Sequence, residues 1–432
     1  MKITELLTEL DKGKYNNTLS ILYGCDTVDA QKSRYAKAIE RFIEIYPKDD
    51  EIDIFSAPGR SEIGGNHTDH QHGCVLAAAV DVDVIAAVSF NESGEIKVLS
   101  EGYMPFSIKL DSLAPNPNDN GTSAMIRGIV SKFTEMGIKV GGFDMYATSD
   151  VLSGSGISSS AAFETLIGTI IDKHYNQGKA GAVEIAKIGQ YAENNYFGKK
   201  SGLMDQMVSS VGGFVFIDFK DTENPIIESY SVDFDTLGYD LFITDTKGSH
   251  ADLSDEYSAV PAEMRSVAEF FGKEYLRQVD AGEFWEKLPE IRKVCSDRAG
   301  LRAMHFFDEN LRPRAEFDAL KAGNIAEFLR LVNESGESSE RLLQNIYSVK
   351  KPLEQEVSLG LAVSRKVLCG EGACRVHGGG FAGTIQAFVP KTKSPEYKAA
   401  LDSIFGEGSC RCMRIRPVGG IDFSEYAKGR KI

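Results

Sequence analysis

The chain predicts an α+β protein of two lobes, and three observations carry that expectation. Its 432 residues exceed what one hydrophobic core comfortably serves. Strand-like and helix-like stretches are both abundant, but the helices come in groups and do not alternate strictly with strands. The last quarter returns to strand pattern around two glycine-rich turns.

In order, the elements read as follows. The first 50 residues are helical, with Leu6, Leu7 and Leu10, then Ala36, Ile39, Phe42 and Ile43 at helical spacing. Residues 52–57 alternate as a strand that ends at Pro58–Gly59. The Val- and Ala-rich run 75–90 is buried strand, and 96–99 and 106–110 are further strands. A loop at 115–121 leads to a helix at 124–136, and then to a strand at 142–149. A helix at 183–197 stops at Gly198, with Glu193 at the edge of its apolar face, and a short helix covers 203–211. Strands at 214–219 and 241–245 flank a surface connection at 222–225, the expected domain boundary. Then come helices at 254–271, 283–293, 312–321 and 325–340, and closing strands at 374–377, 384–389 and 411–416.

Composition narrows the function classes. A hydrophobic content of 42% supports real cores. A net charge of −15, from 48 basic and 63 acidic residues, argues against nucleic acid or an anionic membrane as the main partner. Seven cysteines, odd in number and unevenly spread, do not read as a disulfide framework. Cys369, Cys374, Cys410 and Cys412 lack the spacing of a zinc knuckle. The start, MKITELLTEL, lacks the apolar core of a signal peptide, and no apolar run approaches the roughly 20 residues of a membrane span. A soluble, cytoplasmic protein is expected.

Four stretches carry chemistry. The first, DVLSGSGISSSAAFE at 150–164, reads strand, glycine–serine loop, helix start. Unpaired amides at a helix start beside a loop of small residues favour an anion, and the alternative is a capped helix after a flexible loop. A dinucleotide fingerprint would need Gly or Ala at Ser159, and a P-loop needs Gly-Lys-Ser/Thr, which the chain never supplies. The second, APGRSEIGGNHTDHQHG at 57–73, crowds Arg60, Glu62, His67, Asp69, His70 and His72 into one loop. It reads as a metal site, a sugar pocket or a polar surface turn. The third, AENNYFGKKSGLMDQ at 192–206, sets Glu193 and Asp205 on adjoining helices, where they serve a metal and a proton acceptor or are simply solvated. In the fourth, RVHGGGFAGTIQAF at 375–388, the glycines make a tight turn that lets backbone approach a ligand, or a plain structural bend.

Together and in this order, these stretches resemble the GHMP-type small-molecule kinases, and among them the galactokinases. Residues 60–69 resemble the galactokinase signature, 150–164 the nucleotide-phosphate loop, 193–206 the catalytic segment and 254–257 the sugar-binding tyrosine segment. GGGFAG resembles the third family motif and MRIRPVGGI a frequent ending. The resemblance implies a two-lobed GHMP kinase fold with a mixed-sheet N-terminal domain over 1–221, an α/β C-terminal domain over 222–432, and the active site between them. It implies ATP-dependent phosphorylation of galactose or a galactose-like sugar at the anomeric hydroxyl. By the same resemblance Asp205 is the catalytic carboxylate and Arg60 the arginine facing it. Ser153, Gly154, Ser155, Gly156, Ile157, Ser158, Ser159 and Ser160 hold ATP, and Ser160 and Glu193 are the Mg²⁺ ligands. Arg60, Asn66, His67, Asp69, Asp205 and Tyr257 meet the sugar. The expected partners are therefore a sugar and ATP; a monomer is consistent with this reading.

The departures lie in the sugar loop. Galactokinases typically read GRVNLIGEHTDYNDG where this chain has GRSEIGGNHTDHQHG. Glu62 replaces an Asn, Gly64 an apolar residue, Asn66 a sugar-contacting Glu and His70 a Tyr. Ser201 replaces a usual Cys, and SAVPAEM after Tyr257 lacks the arginines often found there. With the carboxylate lost at position 66, the expected substrate is galactose or a relative altered away from C1, such as galacturonate, N-acetylgalactosamine or arabinose. A second class is a non-catalytic sensor of sugar and ATP. Such relatives lack a Ser-Ala pair that is intact here as Ser160–Ala161. A metal-dependent hydrolase built on the histidines would leave the glycine motifs without a purpose.

Overall fold

A computed structural model describes residues 1–116, 121–151, 156–199, 201–232, 234–249 and 253–429. The chain opens with three helices, α1 (Ile3–Asp11), α2 (Asn16–Tyr23) and α3 (Val28–Ile45). Strands β1 (Asp53–Gly64), β2 (Cys74–Asn91), β3 (Glu95–Ser100) and β4 (Phe106–Lys109) follow, then α4 (Gly121–Glu135) and β5 (Gly142–Ser149). Next come α5 (Ser159–Tyr175), α6 (Gly181–Ala192), α7 (Met204–Val211), β6 (Phe214–Asp218), β7 (Ile226–Tyr230) and β8 (Tyr239–Asp245). A helical block holds α8 (Ser254–Phe270), α9 (Ala281–Val294), α10 (Asp297–Glu309), α11 (Arg312–Lys321), α12 (Ile325–Ser338) and α13 (Glu356–Leu368). The chain closes with β9 (Ala373–His377), β10 (Thr384–Pro390), α14 (Ser394–Phe405), β11 (Cys410–Met413), β12 (Ile421–Asp422) and α15 (Phe423–Ala427).

Among the described residues the strands form two sheets. The larger is eight-stranded, in the order β12-β1-β2-β5-β3-β4, with β6 on the other half of β2 and β7 beyond it. Its β3–β5 pair is parallel and its other pairs are antiparallel. The smaller sheet runs β11-β8-β10-β9. This is the mixed α+β architecture the composition of elements predicts.

The organising strand is β2. Its sequence is almost continuously apolar because both faces are covered. Leu76, Ala78, Val80, Val84, Ala86 and Val88 enter the main core with Ile167 and Ile170 of α5. On the opposite face Val75, Ala77 and Ala79 meet Met204, Met207 and Val208 of α7. Farther along that face, Ile85 and Ala87 pack under the N-terminal helices, beside Tyr35, Ile39 and Phe42.

Several expectations are corrected here. The first strand does not stop at Pro58–Gly59. Arg60, Ser61 and Glu62 pair with Ala79, Ala78 and Ala77, and bulges at Pro58/Arg60 and Glu62/Gly64 absorb the irregular residues. Arg60 and Glu62 therefore stand on a strand, and the loop proper is 65–73. Strand β7, missed in the sequence, pairs with β6, so the expected boundary at 222–225 is the turn of a hairpin in the larger sheet. The chain's end also returns to that sheet: Phe55 and Ser56 pair with Asp422 and Ile421. Helices α10, α13 and α14 were not foreseen. The helix expected through residue 197 passes at Glu193 into a π-helical turn, Glu193–Phe197, that closes on Gly198 in the left-handed region. The strand expected at 411–416 ends at Met413, and Arg416 turns inward to a buried ion pair with Asp83 at 2.8 Å. The loop expected at 115–121 lies partly outside the described residues. No helix among the described residues is long and apolar enough to cross a membrane.

Candidate active site

The strand β1 carries Arg60 to the mouth of α7. Arg60 Nε donates to Asp205 Oδ1 at 2.7 Å and Nη2 to Oδ2 at 2.8 Å, a bidentate pair. Asp205 sits in the first turn of α7, where the helix dipole favours a negative charge. Burial alone would raise its carboxyl. The Arg60 charge and hydrogen bonds, and then the Ser158 hydroxyl, outweigh burial and hold it below the usual carboxylate range. Asp205 is thus an ionised carboxylate at neutral pH. The strand approaches the glycine–serine loop closely here: Arg60 N donates to Ile157 O at 3.0 Å. A Cβ at Gly59 would lie 2.6 Å from Ile157 Cγ2 and 2.8 Å from Ile157 O, so only glycine lets the two backbones meet.

Of the expected phosphate-loop residues, Ser153, Gly154 and Ser155 lie outside the described residues. The remainder form the entry to α5. Gly156 has φ 74°, and Arg60 Nη1 donates to its carbonyl. Ser158 is also left-handed, at φ 61°, and its hydroxyl donates to Asp205 Oδ2. Its side chain thus points at the catalytic candidate. Ser159 and Ser160 open α5 and line a cavity of about 550 Å³. The cavity has apolar walls in Met104, Met125, Phe163 and Phe197 and polar groups in Thr122 and Thr148. A flat aromatic base beside a helix N-terminus is the ligand shape such a space suits. The start of the loop is tied down, since Asp150 N donates to Asp83 O at 3.0 Å and its carboxylate pairs with Arg34 at 3.1 Å.

The loop 65–73 is shaped by Gly65, at φ 89°, and by Thr68, whose hydroxyl donates to Gly65 O at 2.9 Å and Cys74 O at 2.6 Å. Glu309 of α10 accepts from Gly65 N at 2.9 Å and Asn66 N at 3.1 Å. Burial would raise Glu309, but His305, Arg312 and Arg375 outweigh it and bring the carboxyl down to about 2. His67 Nε2 meets Gly379 O at 2.9 Å, so that nitrogen carries the proton. Its Nδ1 is buried and has no partner. Burial, and then His70, lower His67 to about 4, so the ring is neutral. Asp69 is partly exposed and faces Gly202, just before α7: a Cβ there would lie 3.2 Å from Asp69 Oδ2. Tyr257 of α8 braces the glycine turn 378–383. Its hydroxyl donates to Gly380 O at 2.7 Å, and a Cβ at Gly379 would meet its ring at 2.6 Å.

Asn66 needs correction. The family pattern places position 66 against the substrate, but this side chain is 1% exposed and its amide is fully engaged. Nδ2 donates to Glu62 Oε1 at 2.9 Å and Gly378 O at 2.7 Å, and Oδ1 accepts from Asn345 at 2.8 Å and Ser339 at 3.3 Å. The histidine loop does not gather a metal either. His67 turns to the glycine turn, while His72 stacks on Tyr275 at 3.7 Å. No group of three or more His, Cys, Asp or Glu side chains suited to a metal ion occurs among the described residues. No disulfide links Cys25, Cys74, Cys295, Cys369, Cys374 or Cys410 among the described residues.

Glu193, expected at a helix edge, is 2% exposed. Its Oε1 accepts from Lys199 at 3.0 Å and its Oε2 from Gln206 Nε2 at 3.0 Å. The same Gln206 nitrogen donates to Glu164 Oε2 at 2.9 Å, and Glu164 Oε1 is buried with no partner. These are hard oxygen donors, and the Lys199 ammonium on Glu193 is exposed and displaceable, which suits Mg²⁺. Sequence reasoning missed Glu164, Gln206, Glu309, Arg375 and Asn345. Glu164, one turn after Ser160, Gln206, beside Asp205, and Arg375, in a glycine-rich motif, were within reach of it; Glu309 and Asn345 show no local signal.

Two family descriptions match the chain. The galactokinase galactose-binding signature covers residues 40–90, and the N-terminal domain of GHMP kinases covers residues 124–213. Among solved structures, Lactococcus lactis galactokinase complexed with galactose is similar at TM-score 0.75 and 22% identity, over 90% of this chain and 100% of that one. Methanococcus jannaschii mevalonate kinase gives 0.57 and 17%, over 84% and 98%. Streptococcus pneumoniae phosphomevalonate kinase, in complex with phosphomevalonate and AMPPNP, gives 0.57 and 13%, over 84% and 99%. At these identities the likeness establishes the fold.

Proposed function

We propose that this galactokinase-like GHMP kinase transfers the terminal phosphoryl group of ATP to the anomeric hydroxyl of galactose or a close relative, releasing ADP and a sugar 1-phosphate. The observation that carries the reading is the bidentate Arg60–Asp205 pair, set where the phosphate loop, the sugar loop and the start of α7 meet. Phosphoryl transfer asks chiefly for positioning and charge neutralisation, and the chain's groups supply both. Asp205 orients the anomeric hydroxyl and takes its proton. Arg60 keeps that carboxylate ionised and faces the transferring phosphoryl group. Amides of residues 156–160, at the start of α5, hold the phosphates, with the base in the adjoining cavity. Ser160 and Glu193 would hold Mg²⁺, which when bound neutralises charge on the phosphate oxygens. Asp69, the bare Nδ1 of His67 and the braced turn behind Tyr257 form the sugar side.

The test is ADP release with ATP and Mg²⁺ over galactose, galacturonate, N-acetylgalactosamine and arabinose, followed by acid treatment of the product. Galactose is expected to be fastest and its ester acid-labile, as a phosphate at the anomeric carbon is. An acid-stable ester, or ADP release indifferent to sugar, would overturn the reading.

A further inference from the structure

We infer that Glu62 is the carboxylate that reads the sugar, and that Asn66 is its positioning residue, so the two have exchanged the places that the galactokinase pattern gives to Glu and Asn. The inference rests on the proposed function. Arg60, Ser61 and Glu62 keep regular register with Ala79, Ala78 and Ala77, so Arg60 and Glu62 point to one face of β1. Arg60 on that face holds Asp205.

The carboxylate is held at one oxygen and free at the other. Glu62 Oε1 accepts from Asn66 Nδ2 at 2.9 Å and from Arg375 Nη2 at 2.8 Å. Oε2 takes no donor among the described residues, and the side chain keeps 8% of its surface open. Asn66, by contrast, has no donor or acceptor left for a ligand. The carboxyl group missing from position 66 is thus present one hydrogen bond away, and the substitutions at 62 and 66 explain each other. The neighbouring departure at Gly64 is equally internal. A Cβ there would lie 2.0 Å from Glu316 Oε2, so the glycine makes room for a buried side chain of α11. A fixed carboxylate oxygen accepts from a neutral hydroxyl and repels an acid group. The substrate class is therefore a neutral sugar, and a sugar acid is excluded.

Steady-state kinetics on the full chain with ATP and Mg²⁺ test this, comparing wild type, E62Q, E62N, N66E and the exchanged double variant E62N/N66E. The E62Q change should raise the KM for galactose about tenfold or more and leave the KM for ATP unmoved, which is the loss expected of one charge-assisted hydrogen bond. The exchanged variant should recover most of what E62N loses. An unmoved galactose KM in E62Q, or an exchanged variant no better than E62N, overturns the inference. Should the variants fail to fold, wild type decides: turnover of galacturonate comparable to galactose overturns it, and strong preference for galactose supports it. Absence of sugar-dependent ADP release in wild type would overturn the proposed function, and this inference with it. Release by wild type with E62Q unchanged would overturn this inference alone.

Discussion

Replacing Glu316 by Gln should stabilise the protein, by an amount that grows with pH. Glu316 is fully buried on α11, against Gly64 at the start of the loop 65–73, and neither of its oxygens has a hydrogen-bond partner. Burial, and then repulsion from Glu309, push its carboxyl from 4.5 up to about 8, against the pull of Arg375 and Arg312. Below about pH 4.5 the folded and unfolded chains both hold this proton, and it costs nothing. Between 4.5 and 8 the folded state keeps a proton that the unfolded state releases, so its contribution to stability is lost as pH rises. The accumulated loss is about 3 kcal/mol at pH 7 and about 4 kcal/mol at pH 8. Glutamine keeps the shape and cannot ionise. Denaturant unfolding of wild type and E316Q at pH 5 and pH 8 reads the difference directly. The reasoning expects near-equality at pH 5 and a clear advantage for E316Q at pH 8. A pH-independent gap, or a less stable E316Q at pH 8, would refute it.

Two further outcomes concern the Arg60–Asp205 pair. Arg60→Lys keeps the charge but not the two-pronged geometry, and should lower kcat about 10²-fold, far more than it changes either KM. Ser158→Ala removes a donor that helps depress Asp205. Its carboxyl then titrates higher, so the acid limb of kcat/KM should move to higher pH; an unmoved limb would show that the hydroxyl does not act on Asp205.

Much of this was legible because the chemistry is local. The strand at 142–149, the helix entered at Ser159 and the turn at 378–383 announce themselves by period, glycine content and small residues. What stayed hidden depends on partners far away in sequence. Proline and glycine usually end strands, yet bulges and the alanine run of β2 carry β1 past Pro58 to Gly64. Glu193 sat at the edge of a predicted apolar face and is buried, since a π-turn rotates it inward and Gln206 and Lys199 receive it. The substitutions at 62, 64 and 66 looked like a change in the sugar. Their partners Arg375, Asn345 and Glu316 lie some 250 to 315 positions on, and no local pattern ties them to the loop.

The central claim is that Asp205 accepts the proton from a sugar hydroxyl as the phosphoryl group moves. The direct measurement is galactose-dependent ADP release by wild type and Asp205→Asn, with ATP binding followed in parallel by titration. The account expects turnover to fall by at least about 10³-fold while ATP affinity stays within a few-fold, because Asn keeps the shape and loses the base. A folded Asp205→Asn protein that turns over galactose at near wild-type rate would contradict it.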